Sequence, residues 1–144
     1  ASLNQAPDLF RAAILGVPFV DLMCTMIDST IPLTIQEWQE WGCPNEAEYH
    51  DYMMSYCPMQ NVQEGKTYPS CLITGGLHDP RVAYWEPAKF CATLRHECKS
   101  SLGPILLKTD LDAGHFAQSD RYKYLKEQAY EYAYLLEQLG LVDT

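Results

Sequence analysis

At 144 residues the chain has room for one domain with a sizeable core and no more. Its net charge of −9 and pI near 4.7 exclude the basic face that nucleic acid requires. No apolar run approaches the roughly 20 residues of a membrane span, so neither nucleic acid nor membrane is an expected partner.

In chain order, residues 1–10 read as the end of a helix stopped near Ala6-Pro7. Arg11–Val17 is a short apolar run without alternation, as expected of a strand covered on both faces, and Pro18 ends it. Phe19–Met26 is apolar enough to be buried, as helix or as loop. Thr34-x-x-Glu37 and Asn45-x-x-Glu48 both have capping-box spacing, and the second predicts a helix over 46–56 that Cys57-Pro58 ends. Residues 59–70, with Gly65 and Pro69, read as a polar loop.

A second strand, Cys71-Leu72-Ile73-Thr74, runs into Gly75-Gly76-Leu77-His78-Asp79-Pro80-Arg81. Pro87 suits the first turn of a helix with Phe90, Leu94 and Cys98 on one face. Gly103-Pro104 then breaks the chain before a third strand, Ile105–Asp110, which leads into Asp112-Ala113-Gly114-His115. Ser119 can cap a long final helix with Tyr122, Leu125, Ala129, Tyr132, Leu136 and Leu139 on its buried side and Gly140 at C′. Strands alternating with helices imply one α/β unit with a parallel sheet and right-handed crossovers.

The six cysteines contain no C-x-x-C spacing, which argues against a zinc ribbon or a thioredoxin-like site. Read as buried or half-exposed reduced thiols, they point to an intracellular, cytoplasmic protein. No His, Cys and carboxylate set has metal-ligand spacing and no Gly-rich phosphate loop appears, so no cofactor is expected. His50 and His96 fall on predicted helices and read as structural or exposed; His78 reads as a loop residue. Trp38, Trp41 and Trp85 suit either core or pocket wall. From Ala12 to Gly65 there is no Lys or Arg, while Asp21, Asp28, Glu37, Glu40, Glu46, Glu48, Asp51 and Glu64 are all acidic. That asymmetry suits a solvated acidic surface or an electrostatic funnel for a cationic ligand.

Chemistry gathers where strands end. An acid after one strand and a histidine after the next form the second half of a Ser…Asp…His order. An imidazole acting as general base needs a defined tautomer, which a carboxylate on its other nitrogen fixes; losing that charge costs roughly 10⁴ in turnover in such a triad. Asp79 is the natural orienting acid and His115 the natural base. Position and order alone leave the pairing open, because Asp and His are common in loops. No Gly-x-Ser-x-Gly elbow occurs in these residues.

From Leu9 to about Leu139 the chain resembles the C-terminal part of the prolyl oligopeptidase family of serine peptidases, most of all its oligopeptidase B branch. The stretches that carry this are Gly16-Val-Pro-Phe-Val-Asp21, Ile31-Pro-Leu-Thr34, Glu40-Trp-Gly42, Tyr52-Met53, Ser55-Tyr56, Gly76-Leu-His-Asp-Pro-Arg-Val82, Tyr84-Trp-Glu-Pro-Ala-Lys89 and Asp112-Ala-Gly-His115. The resemblance implies that residues 1–144 are the C-terminal portion of an α/β-hydrolase fold, about three parallel strands with flanking helices. The nucleophilic serine, oxyanion hole and β-propeller would lie upstream. It implies that Asp79 and His115 are triad acid and base, and that the parent acts on peptides. This chain alone is then expected to be inactive.

By the same resemblance Arg81 reaches a substrate backbone carbonyl near P2, which its donor fork suits; the alternative is an ion pair with a nearby carboxylate. Glu37 and Glu40 belong to the segment that binds the P1 side chain, Arg or Lys, in this branch. Relatives often carry an acid where Gln39 stands here, which weakens the case for a basic preference. The alternative for Glu37 is closure of the capping box with Thr34. Other readings are a non-catalytic binding fragment, a pseudo-enzyme, or another α/β-hydrolase such as an esterase or prolyl peptidase. With its sheet neighbour upstream, Arg11–Val17 would present a bare edge, from which dimerisation or marginal stability is expected.

Overall fold

The computed structural model describes residues 1–98, 100–114 and 121–142. Its elements are α1 (Ser2–Gln5), a 3₁₀ turn (Pro7–Leu9), β1 (Ala12–Gly16), α2 (Leu22–Ile27), α3 (Thr34–Trp41), α4 (Ala47–Tyr56), β2 (Thr67–Tyr68), β3 (Ser70–Gly76), α5 (Trp85–Glu97), β4 (Ser100–Ser101), β5 (Ile105–Asp110) and α6 (Arg121–Gln138). β1, β3 and β5 form the expected parallel sheet in the order β1-β3-β5. Ala12 pairs with Ser70 and Cys71 with Ile105. β3 is buried along nearly its whole length because it is the central strand and is covered on both faces, which is why its sequence shows no alternation. β1 lies at the edge and is only half-buried.

Two faces of β3 serve two layers. Cys71 and Ile73 join Phe90, Cys91 and Leu94 of α5 and Ile105 in one apolar cluster. On the other face the Ser70 hydroxyl meets the Tyr134 hydroxyl of α6 at 2.7 Å. A second cluster lies outside the sheet, where Leu22, Met23 and Met26 of α2 meet Met53 and Cys57, with Trp38 against them. All six cysteines are free; Cys57, Cys71 and Cys91 are buried and Cys24 is exposed. Burial pushes the Cys71 thiol up to about 12, so it is inert.

Four local expectations change. Residues 59–70 are not all loop: Tyr68 is buried, and β2 pairs with β4 in a small second parallel sheet. Neither capping box forms, since α3 and α4 have Leu33 and Glu46 at their N-caps with no side-chain cap bond. Thr34 instead donates to the Thr25 carbonyl at 3.2 Å. Cys24 is more exposed than a buried or half-exposed thiol. The α6 face is also reversed: Tyr122 is 74% and Tyr132 62% exposed, as against 5% for Tyr134.

The reversal follows from charge. Lys108 and Asp110 of β5 face α6 and pair with Glu127 and Lys123, so the helix turns a polar stripe inward. The end of α6 is as expected: Gly140 has φ +69, its amide donates to Glu137 and that of Leu141 to Leu136, a Schellman motif. Ser119, the expected cap at the other end, lies outside the described residues.

Tyr134→Phe removes the bond to Ser70 and should destabilise the chain by about 1 kcal/mol. Tyr132→Phe should change stability by less than about 0.5 kcal/mol. Urea unfolding of both variants checks this, and the opposite ranking would restore the inward face read from the sequence.

Candidate active site

The site is built where β3 and β5 run out. Past β3, the Leu77 amide donates to the Asp110 carbonyl at 2.8 Å and the His78 amide to the Ala113 carbonyl at 3.2 Å. The two exit loops thus stay paired beyond the sheet. Such proximity requires a glycine at 76, since a Cβ there would lie 2.5 Å from the Gly114 oxygen and 2.7 Å from that of Ala113. The polypeptide then turns at Asp79, a buried side chain. Its Oδ1 accepts the amides of Arg81 at 2.8 Å and Val82 at 3.0 Å, an Asx-type turn that fixes the carboxylate plane.

The facing loop is held by Asp110, which accepts the Asp112 amide at 2.9 Å and pairs with Lys123 at 2.8 Å. The Lys123 bond and the Asp112 amide hold the Asp110 carboxyl below its ordinary value. This loop leads through Gly114 to position 115; His115 itself lies outside the described residues.

Arg81 is exposed and borders two cavities. One, of about 300 Å³, is lined by Glu37, Glu40, Trp41, Phe19 and Val82 among others. Phe19 and Trp41 meet edge to face at 6.4 Å between centroids and form an apolar wall. Glu37, Glu40 and Arg81 are thereby brought to one cavity. The capping role for Glu37 is not realised, because α3 has no side-chain cap. The second cavity, of about 270 Å³, lies beside Asp79 and Trp85. Among the tryptophans, Trp41 and Trp85 are cavity walls, while Trp38 packs on the α2–α4 cluster. His78 and His96 are exposed, and His50 contacts Asp51 on the surface.

Two buried carboxylates were not singled out by sequence. Glu86, in the first turn of α5, accepts from the Val20 amide, the Asp21 amide and the Thr25 hydroxyl. Asp21 pairs with Lys89 at 2.5 Å. Their partners lie 61 to 68 residues away, so no local pattern reports them. In the sequence both fall within stretches that carry the family resemblance, Gly16–Asp21 and Tyr84–Lys89, and Asp21 also within the acidic run from Ala12 to Gly65. Burial alone would raise the Asp21 carboxyl, but the Lys89 ammonium outweighs it and holds the group below its ordinary value. Lys89 is raised in turn by its bond to Asp21. Among the described residues no group of His, Cys, Asp and Glu could hold a metal ion, and no helix is long and apolar enough to cross a membrane.

Comparison with known proteins shows the family of the chain. The model of the prolyl oligopeptidase family matches residues 1–142. Protease 2 of Moraxella lacunata is 48% identical over 141 residues, covering 98% of this chain and 20% of that protein. Dipeptidyl aminopeptidase BI of Pseudoxanthomonas mexicana is 44% identical over 138 residues, 96% of this chain and 19% of its own length. Oligopeptidase B from Trypanosoma brucei, in a closed form with covalently bound antipain, superposes with a TM-score of 0.90 at 56% identity. That match covers 96% of this chain and 19% of the solved one. The chain thus spans about one-fifth of the length of these relatives.

The Asp21–Lys89 pair makes a signed prediction. A carboxyl depressed on folding contributes stability above its unfolded value, and that contribution is lost as pH falls through the folded one. Lys89→Met removes the largest opponent of burial, which moves the Asp21 carboxyl upward. The variant should lose about 1–3 kcal/mol near neutral pH, and less at acidic pH, where the carboxyl is protonated in the folded and unfolded chain alike. Urea unfolding across that range checks it; a deficit independent of pH would mean that Lys89 acts by packing alone.

Proposed function

Because the chain belongs to the prolyl oligopeptidase family, we propose that it is the distal part of the catalytic domain of a cytoplasmic serine oligopeptidase that cleaves short peptides after Arg or Lys. The observation that carries the specificity is the cavity shared by Glu37, Glu40 and Arg81, one turn away from Asp79. Two carboxylates over an aromatic wall suit a long side chain with an apolar stem and a cationic head. Gln39, where relatives often have an acid, leaves Glu37 as the principal anion at that end of the helix. Free cysteines support the cytoplasmic assignment.

In this reading Asp79 is the triad acid and His115 the base. The Arg81 and Val82 amides occupy Oδ1 of Asp79, so we assign Oδ2 to the imidazole. A carboxylate held by its own turn fixes the tautomer that lets the opposite ring nitrogen take the proton of a serine. That serine, the oxyanion hole and the propeller are assigned to sequence upstream, since no elbow occurs in these residues. Arg81 donates to the substrate backbone near P2, which places the next side chain at the acidic cavity.

The test is hydrolysis, by the full-length polypeptide, of blocked fluorogenic substrates ending in Arg or in Pro. Faster cleavage after Arg is expected. Glu37→Ala should then lower kcat/KM for Arg about tenfold, equivalent to roughly 1.4 kcal/mol, while stability changes by less than about 0.5 kcal/mol. Cleavage after Pro instead would keep Asp79 and His115 and discard the pocket. No turnover of either would favour a non-catalytic fragment or pseudo-enzyme.

The purified 144 residues should show no peptidase turnover and should either dimerise through the open edge of β1 or be marginally stable. Turnover abolished by His115→Ala would overturn the first expectation. A monodisperse, cooperatively unfolding monomer in light scattering and urea titration would overturn the second.

A further inference from the structure

Glu86 is 1% exposed, and burying a carboxylate costs several kcal/mol unless its lone pairs are well used. Here they are. Oε2 accepts the Val20 amide at 2.9 Å and the Asp21 amide at 3.0 Å, and Oε1 accepts the Thr25 hydroxyl at 2.6 Å. Both arms of the carboxylate thus accept; a glutamine keeps one acceptor for the two amides only if its NH₂ faces the Thr25 hydroxyl, which would then accept instead of donate. The side chain starts from the first turn of α5, five residues past Arg81, where the helix N-terminus favours a negative charge.

From Thr25 the connection continues. The last carbonyls of a helix have no partner within it, and α2 gives two of its own to α3. Thr34 donates its hydroxyl to the Thr25 carbonyl at 3.2 Å, and Trp38 donates Nε1–H to the Met26 carbonyl at 3.0 Å. The helix so held is the one that presents Glu37, Glu40 and Trp41 to the cavity. Polar contacts therefore run from Glu86, which follows the Asp79–Arg81 turn along the chain, through residues 20–25 and α2 to the acidic wall opposite.

We propose that Glu86 is a positioning residue for substrate specificity. It sets the register between the helix that carries Glu37 and Glu40 and the loop that carries Asp79 and Arg81. This deepens the function proposed above and rests on the reading of that cavity as the P1 pocket. Glu86 touches neither substrate nor reacting atoms. It acts by keeping the cationic head and the scissile bond at a constant separation.

The experiment uses the full-length enzyme with benzamidine, whose amidinium mimics the head of arginine. Its inhibition constant does not depend on the fraction of enzyme that folds. Glu86→Gln should raise both that constant and KM for an Arg substrate about tenfold, as a small misplacement of a binding group does. The rate at which an organophosphonate labels the serine should stay within about twofold. Thr34→Val, which breaks a later link without changing charge, should shift the constant in the same direction, and it decides the matter if Glu86→Gln does not fold. An unchanged constant in both variants would overturn the proposal, as would equal loss of serine labelling. So would an effect confined to Glu86→Gln, because that would be direct electrostatics. If the wild type neither binds benzamidine nor prefers Arg, it is the pocket assignment itself that fails.

Discussion

The arrangement of functional groups depends on one close contact, the approach of the β5 exit loop to Gly76. A Cβ there would clash with two backbone oxygens, and no flexible side chain could yield to relieve it. With glycine present, the amides of Leu77 and His78 can reach the carbonyls of Asp110 and Ala113. Two loops that would otherwise diverge from a twisted sheet become an extension of it. The turn at Asp79 and the chain leading through Gly114 are brought side by side by these backbone bonds.

The acidic surface resolves into parts with different work. Most of the carboxylates between Ala12 and Gly65, such as Glu46, Glu48, Asp51 and Glu64, are exposed and act as a solvated face. Asp21 is buried and has the Lys89 cation, so it contributes to internal structure and adds little to the outside field. Glu37 and Glu40 differ because they border a cavity with an aromatic floor. Glu37 is half-buried there and Glu40 is exposed at its rim.

How much of this was legible in the sequence depended on how local each signal is. The three strands were readable because Cys71–Thr74 and Ile105–Leu107 are apolar runs too short for helices, bounded by Gly and Pro. The Schellman end of α6 was readable because Gly140 needs no context. The inward face of α6 was not, because the periodicity rule assumes an apolar neighbour and β5 offers Lys108 and Asp110 instead. Thr34 failed as a cap because the helix begins one residue sooner than the capping box requires: Leu33 is the N-cap and Thr34 is the first helical residue. Asp79 was found from its place after a strand and paired glycines. Glu86 was beyond reach, since its three donors come from a segment more than 60 residues earlier.

Two packing units, the sheet layer and the α2–α4 excursion, contribute the two halves of the candidate site. The sheet layer has its own apolar cluster around Ile73 and Phe90, and its strand ends set Asp79. The excursion has a separate one around Met26 and Met53, and it carries Glu37 and Glu40. Apolar contact is non-directional and would let the units slide against each other by fractions of an ångström. Hydrogen bonds with defined geometry do not, and the links from Glu86 and Lys89 to residues 20–25 are of that kind. A division of this sort allows the excursion to change the side chain a cavity accepts while the strand-end loops keep the same chemistry. Glu86, buried between the units and bonded to three donors of residues 20–25, is the link that such a change would have to leave in place under the proposal above.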